Sequence, residues 1–225
     1  MTGREIIIPG AKLDNSEQRL SVVDGINDRD AAYSITSEGF VLPVDEALRN
    51  DVDKHIDDAE IRMSVLDRAR HLAGYALYNT FSHDGESILY LSGVQLSQSM
   101  QGRGITQQLN RIAIEEHNPD YFAFRTQSIR MFRSGIRQML DHYPKLDSDY
   151  IPARIKEIGD MLARNVGGEF PFSRGYYGGK PLYSDLPSHE QDKEFYSVID
   201  FHNGDAVLCV GALKRSFDLR SEMEL

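Results

Sequence analysis

The sequence predicts a mixed α/β fold, and three observations predict it. Ser87–Leu96 (SILYLSGVQL) is almost wholly apolar, aromatic or small, the pattern of a central strand covered on both faces. A helix from about Ile105 to Asn118 follows it, with Ile105, Leu109 and Ile112 spaced for one face. Then come a short strand, Tyr121–Arg125 (YFAFR), and a second helix, Ser128–Leu140. Strand, helix, strand, helix in that order implies a parallel pair at the centre of a sheet.

The composition agrees. The 225 residues are 40% hydrophobic and 27% charged, with a mean hydropathy of −0.44, which argues against disorder, collagen and coiled coil. No apolar run approaches the roughly 18 residues of a membrane helix. Ile6, Ile7 and Ile8 are too short a run for the core of a secretory signal, so a cytoplasmic location is expected. Cys209, the only cysteine, excludes an internal disulfide and a cysteine zinc cluster, and VLCVG marks it as a core residue. The histidines show no HxH or HExxH spacing, so no metal is expected.

Along the chain, Glu5–Pro9 reads as a short strand and Ser16–Thr36 gives mixed signals. Pro43–Ile56 reads as a helix, with Asp45 and Glu46 in its first turn. Arg62–Leu66 and His71–Ser82 read as strands. His83-Asp84-Gly85-Glu86 is a hairpin signal, and Asp84 and Glu86 are taken as turn residues. Asn118-Pro119-Asp120 breaks the helix before it. Tyr150–Asn165 contains an amphipathic helix with Pro152 near its start. Gly167–Asp185 is rich in glycine and aromatic residues. Phe195–Phe201 and Ala206–Leu213 read as a closing hairpin around Asn203-Gly204, with Asp200 and His202 on one face of its first strand.

The net charge of −10 disfavours general nucleic-acid binding, which needs basic patches. Residues 94–140 reverse that balance, with six arginines against Glu115, Glu116 and Asp120. An arginine-rich centre in an acidic chain suggests a local anionic ligand.

Within that centre, the central strand runs into Gln101-Gly102-Arg103-Gly104-Ile105-Thr106, which opens a helix. The first turn of a helix leaves backbone N–H groups without partners at the positive end of its dipole. Gly102 and Gly104 remove side chains that would block an anion from them, and Arg103 adds a charge. A phosphate or pyrophosphate suits this loop. A Walker loop would need Lys-Ser/Thr after the last glycine, where Ile105-Thr106 stands; a dinucleotide fingerprint would need a third glycine, where Gln107 stands.

Here the sequence resembles the GNAT superfamily of N-acetyltransferases, which carry Gln/Arg-x-x-Gly-x-Gly/Ala between a central strand and a helix. Gln101, Gly104 and Thr106 occupy the three signature positions, with Gly102 as the frequent extra glycine; a second register aligns only Gly102 and Gly104. Tyr121–Ile136 resembles the family's next strand and helix, and the likeness covers about residues 57–140 and the final hairpin. The resemblance implies a single domain over 1–225, elaborated at about 141–194. Its central sheet would be mixed and mostly antiparallel, with a splayed parallel strand pair, flanked by helices.

The resemblance also implies a site. The amides of Gln101, Gly102, Arg103, Gly104, Ile105 and Thr106 would hold the pyrophosphate of coenzyme A. The backbone of Val94, Gln95 and Leu96 would pair with its pantetheine arm, and Gln127 would contact that arm. The family's chemistry is direct attack of a neutral amine on the thioester of acetyl-CoA. The family's usual catalytic tyrosine and strand glutamate are missing from the helix after Tyr121–Arg125 and from the central strand. Tyr90 and Ser92, the polar side chains of that strand, stand as catalytic candidates. By alternation they share a face with Ile88 and Val94. Tyr176, Tyr177 and Tyr183 could line an acceptor pocket. The expected partner is a small-molecule or peptide amine, with no nucleic acid and no membrane, and a homodimer is left open. The alternative is a non-catalytic acyl-CoA-binding or regulatory module on the same fold.

Overall fold

A computed structural model of the chain describes residues 4–8, 18–146, 148, 150–182 and 193–213. Its elements are β1 (Arg4–Ile8), β2 (Gln18–Asp24), α1 (Arg29–Phe40), α2 (Glu46–Asp58), β3 (Ile61–Leu66), β4 (Leu72–His83), β5 (Glu86–Leu96), α3 (Ile105–His117), β6 (Tyr121–Thr126), α4 (Ile129–Ile136), β7 (Asp141–Tyr143), α5 (Ala153–Val166), β8 (Phe172–Ser173), α6 (Lys193–Val198) and β9 (Ala206–Ala212). The strand order is β1-β2-β3-β4-β5-β6-β9-β7, with β8 pairing β9 off that path. The sheet is mixed and mostly antiparallel. Its parallel pair is β5 and β6, whose first residues lie side by side: the Asp120 N–H donates to the Ser87 carbonyl at 2.9 Å.

The chain divides into two compact units. One comprises the residues up to Asn79 with Leu91–Ala113, the other Thr80–Tyr90 with the residues from Ile114 onward.

In the first unit, β1, β2, β3 and β4 pair antiparallel in sequence, with Leu20 opposite Ile6 and Met63 opposite Ala76. The mixed signals of Ser16–Thr36 resolve into β2 and α1. Asp28 caps α1 by accepting the Ala31 N–H at 2.9 Å. Asp45, expected inside α2, is its N-cap and accepts the Leu48 N–H at 2.9 Å. The apolar stripe Leu48, Val52 and Ile56 of α2 packs with Ala32 and Tyr33 of α1 onto Tyr75 and Leu77 of β4. On the opposite face of β4, the buried Tyr78 hydroxyl donates to Asn110 Oδ1 of α3 at 2.9 Å.

The hairpin between β4 and β5 turns at Asp84 (φ 50°) and Gly85 (φ 84°). Two positive φ values are what a two-residue type I′ turn requires, and Asp-Gly supplies them.

In the second unit, β9 lies between β6 and β7. Val210 faces both Ala123 and Tyr143, and Phe172 of β8 pairs Val207. All seven residues of β9 are buried, which is why it reads as an unbroken apolar run. Residues Ile155, Ile158, Met161 and Leu162 of α5 pack over Ile88, Tyr90, Tyr121, Ala123, Leu208 and Val210. Ser128–Leu140 is shorter than expected as a helix: Ser128 caps α4, which ends at Ile136.

The closing hairpin is not formed. Lys193–Val198 is the helix α6, and β9 takes its partners from β6, β7 and β8 instead. Phe195 and Ile199 are both buried four residues apart, a helical spacing. Asn203 lacks the positive φ that a type I′ turn would require, and only Gly204 (φ 72°) has it. The buried Asp205 carboxylate shapes this bend instead. It accepts from the N–H of Gly175 and of Asp200 and from Asn203 Nδ2, each at 2.9 Å, and pairs with Arg174. Asp200 and His202 therefore do not share a strand face; Asp200 accepts the Asn203 N–H within the bend.

Candidate functional site

The loop at the end of β5 lies wholly in the first unit. Ser97 N–H donates to the Ala73 carbonyl of β4 at 3.0 Å, and a 3-10 turn at Gln98–Met100 follows. Gln101 then folds back, its Nε2 donating to the Leu96 carbonyl at 3.0 Å. Gly102 and Gly104 both have positive φ (72° and 74°), a region that side chains disfavour. A Cβ added at Gly102 would meet no atom within 4 Å, so the backbone there faces open space. At Gly104 only Gln107 Oε1 would come near, at 3.8 Å.

Gly104 is also where α3 begins. Its carbonyl accepts the Gln108 N–H at 3.2 Å, the first bond of the helix. A glycine in this place has no side chain to cap the helix. The N–H groups of the first turn, at Ile105 and Thr106, therefore lack an internal acceptor by helix geometry and carry the positive end of the dipole. An anion arriving here would find donors, partial positive charge and no obstructing Cβ. The loop is thus shaped to receive an anion.

The strand before it has a second feature. Leu89, Tyr90 and Leu91 are buried, whereas Ser92, Gly93, Val94 and Gln95 are only half-buried. The expected double covering of the central strand thus stops at Leu91. Gly93 lies against Leu77, and a Cβ on Gly39 of α1 would touch the Gln95 side chain. Gly93 and Gln95 therefore face α1 and α2, which puts Ser92, Val94 and Leu96 on the α3 face by alternation. The Ser92 hydroxyl is buried and has no hydrogen-bond partner.

The other expected residues lie in the second unit. Tyr90 is packed edge-on against Phe81, with ring centroids 6.2 Å apart, and burial pushes its phenol up to about 12. It stays neutral and able to donate a proton at physiological pH. Tyr176 stacks its ring over the Arg125 guanidinium at 4.0 Å and sits edge-on to Tyr177 at 5.2 Å. Tyr183 lies outside the described residues. Gln127 has a different role from the one the resemblance implies. Its side chain is fully buried, with Nε2 donating to the Phe201 and Asp205 carbonyls at 2.9 and 3.1 Å and Oε1 accepting the Leu182 N–H at 2.7 Å. It ties Leu182, Phe201 and Asp205 to the end of β6.

No family model matches the chain, and no curated protein matches it in sequence. Solved structures do. The ribosomal-protein-S18-alanine N-acetyltransferase from Escherichia coli superposes with a TM-score of 0.52 over 88% of this chain and 97% of that one, at 10% identity. A candidate phosphinothricin N-acetyltransferase gives 0.51 over 87% and 99%, at 8% identity.

The chain has the GNAT fold.

At these identities the likeness concerns architecture, and the GNAT fold accounts for the parallel pair β5 and β6 joined by α3. Residues that the resemblance did not mark stand out against it. Arg125, at the carboxyl end of β6, donates through Nη1 to the Val166 carbonyl at 3.2 Å and through Nη2 to the Gly167 carbonyl at 2.6 Å. Both carbonyls belong to the end of α5, where a cation opposes the helix dipole. The only sequence signal for Arg125 was the local arginine excess. His83, Asp84 and Glu157 bring three ligand-type atoms within 4.8 Å of one another. Arg154 already bridges those carboxylates, donating to Asp84 at 2.9 Å, Glu157 at 2.8 Å and Glu86 at 2.7 Å. Asp84 and Glu86, read as plain turn residues, are thus anchors for α5. No described helix is long and apolar enough to cross a membrane.

Proposed function

We propose that this chain is an acyl-CoA-dependent N-acyltransferase that moves an acetyl group from acetyl-CoA to a primary amine within a ternary complex. The observation that carries this reading is that α3 starts behind two glycines, Gly102 and Gly104, both with positive φ and with open space where a Cβ of Gly102 would stand. Gln101, Gly102, Arg103, Gly104, Ile105 and Thr106 would hold the diphosphate. The backbone of Val94, Gln95 and Leu96, at the end of β5 where the covering thins at Val94 and Gln95, would hold the pantetheine arm as an added strand. In the transfer, the amine nitrogen bonds to the acetyl carbonyl carbon and the carbon–sulfur bond breaks. The amine gives up a proton and the leaving thiolate gains one. Tyr90, the phenol of the same strand, would be the proton donor, and the unpartnered Ser92 hydroxyl suits a carbonyl contact. Gln127, with its side chain committed elsewhere, is left out of this set. Tyr176 and Tyr177 would line the acceptor side, on the 141–194 elaboration of a single acyltransferase domain.

The acceptor is a small-molecule or peptide amine, and the reading needs no metal, nucleic acid or membrane. It places the protein in the cytoplasm and leaves open a homodimer. Isothermal titration with acetyl-CoA, followed by thiol release over a panel of amines, tests it. Binding with turnover supports transfer. Binding without any turnover would favour the regulatory alternative, and absence of binding removes the reading. In an active enzyme, Tyr90→Phe should lower kcat at least 10-fold while acetyl-CoA affinity holds.

A further inference from the structure

Arg125 is a cation in an acidic protein, yet no carboxylate pairs with it among the described residues. Two of its three nitrogens cap α5, as described above. The third, Nε, is buried and has no hydrogen-bond partner. The helix cap therefore explains the Nη edge of the guanidinium and leaves the Nε edge unexplained. One flat face is covered by Tyr176, whose own hydroxyl donates to the Val166 carbonyl at 3.2 Å. Cap and ring together hold the guanidinium rigid, as a planar two-donor contact to an anion requires.

Its surroundings change along β6. Tyr121 and Ala123 share Arg125's sheet face by alternation and are packed in the core under α5 with Tyr90. Arg125 is the residue at which this face turns from apolar to charged, at the carboxyl end of a parallel strand. Ligands of open α/β sheets bind beyond such ends. Tyr90 feels Arg125 electrostatically, but burial raises its phenol, so it carries no negative charge that would compete for the guanidinium.

We propose that Arg125 determines acceptor specificity by receiving an anionic group, so that the acceptor is an amine bearing a carboxylate. The inference rests on the acetyl-transfer reading above and deepens it. It sets amino acids, or the carboxylate terminus of a very short peptide, ahead of polyamines, although the net charge of the chain alone would favour cations.

The experiment supplies the intact protein and acetyl-CoA with free amino acids and, separately, with the matching carboxamides, and follows thiol release. The free acids should show kcat/KM at least 10-fold above the carboxamides, with the difference in KM. Arg125→Met should lower the rate with acids at least 10-fold more than the rate with carboxamides, and Arg125→Lys should restore part of the loss. Carboxamides used as well as acids, or a preference that survives in Arg125→Met, overturns the proposal. If Arg125→Met fails to fold for want of its helix cap, salt decides on the wild type. Added KCl should raise KM for the acids and leave KM for the carboxamides unchanged, and equal effects on both overturn the proposal. Acetyl-CoA that binds without turnover of any amino acid defeats this inference alone. Acetyl-CoA that does not bind defeats the underlying reading, and this inference with it.

Discussion

Gln101 and Leu96 close a loop over the four residues between them: the side-chain amide of Gln101 donates to the backbone carbonyl of Leu96 at 3.0 Å. The contact ties the residue that opens the glycine loop to the last residue of β5. It sets the loop against the strand end, in front of the start of α3. The Gln101 side chain thus acts on the loop through the backbone it positions. Gln101→Ala should weaken acetyl-CoA binding about 2- to 10-fold, the range of one net hydrogen bond of ~0.5–1.5 kcal/mol. Calorimetric titration checks it, and unchanged affinity would mean the loop holds its shape without the tie.

Gly104 separates charge from strain. Glutamate and glutamine there suffer alike from the positive φ of 74°, at a cost of about 1–2 kcal/mol to folding. Only glutamate places a carboxylate among the helix-start amides. Gly104→Glu should therefore lose acetyl-CoA binding at least 10-fold beyond Gly104→Gln at equal melting temperature. Equal affinities in the two variants would show that no anion sits at this end of α3.

The buried pair Tyr78–Asn110 joins β4 to α3. Burial raises the Tyr78 phenol far above its ordinary range, so it remains a hydroxyl donor at any working pH. Asn110 Nδ2 already lacks a partner. Tyr78→Phe leaves Oδ1 bare as well, and urea unfolding should show a loss of about 1–3 kcal/mol. Adding Asn110→Leu to Tyr78→Phe should cost less than the two single changes summed, since the variant then has no bare polar group.

Asp205 makes stability depend on acid. Burial pushes its carboxyl up, but hydrogen bonds from the Gly175 and Asp200 N–H groups, from Arg174 and from Asn203 outweigh this and bring it down to about 2. A carboxyl lower in the folded than in the unfolded chain stabilises above the unfolded value and loses that effect as pH falls through the folded one. Asp205→Asn should cost about 2 kcal/mol near pH 7, from the size of the displacement. The gap to wild type should narrow as pH falls from about 4 towards 2. Chemical denaturation at stepped pH measures this, and a gap independent of pH would remove the carboxylate from the account.

Wherever backbone chemistry is local, the sequence determined the outcome by itself. Asp84-Gly85 carries its turn in two adjacent φ values, the apolar spacing of Ile105 and Leu109 carries α3, and Gly102 and Gly104 carry the open loop, because each needs only neighbouring residues. The tertiary structure decided what depends on distant partners. Phe195–Val198 has apolar and aromatic residues that suit a strand, yet it is helical, because β9 already has β6, β7 and β8 beside it and Asp205 bends the chain after α6. Gln127 is polar and the resemblance assigns it to the coenzyme arm, yet Phe201, Leu182 and Asp205 take up its amide. Arg125 looked like one arginine of six until the end of α5 took two of its nitrogens and left the third bare. Hydrogen-bond capacity is fixed by residue type, but which group uses it is settled only when residues forty to eighty positions apart meet.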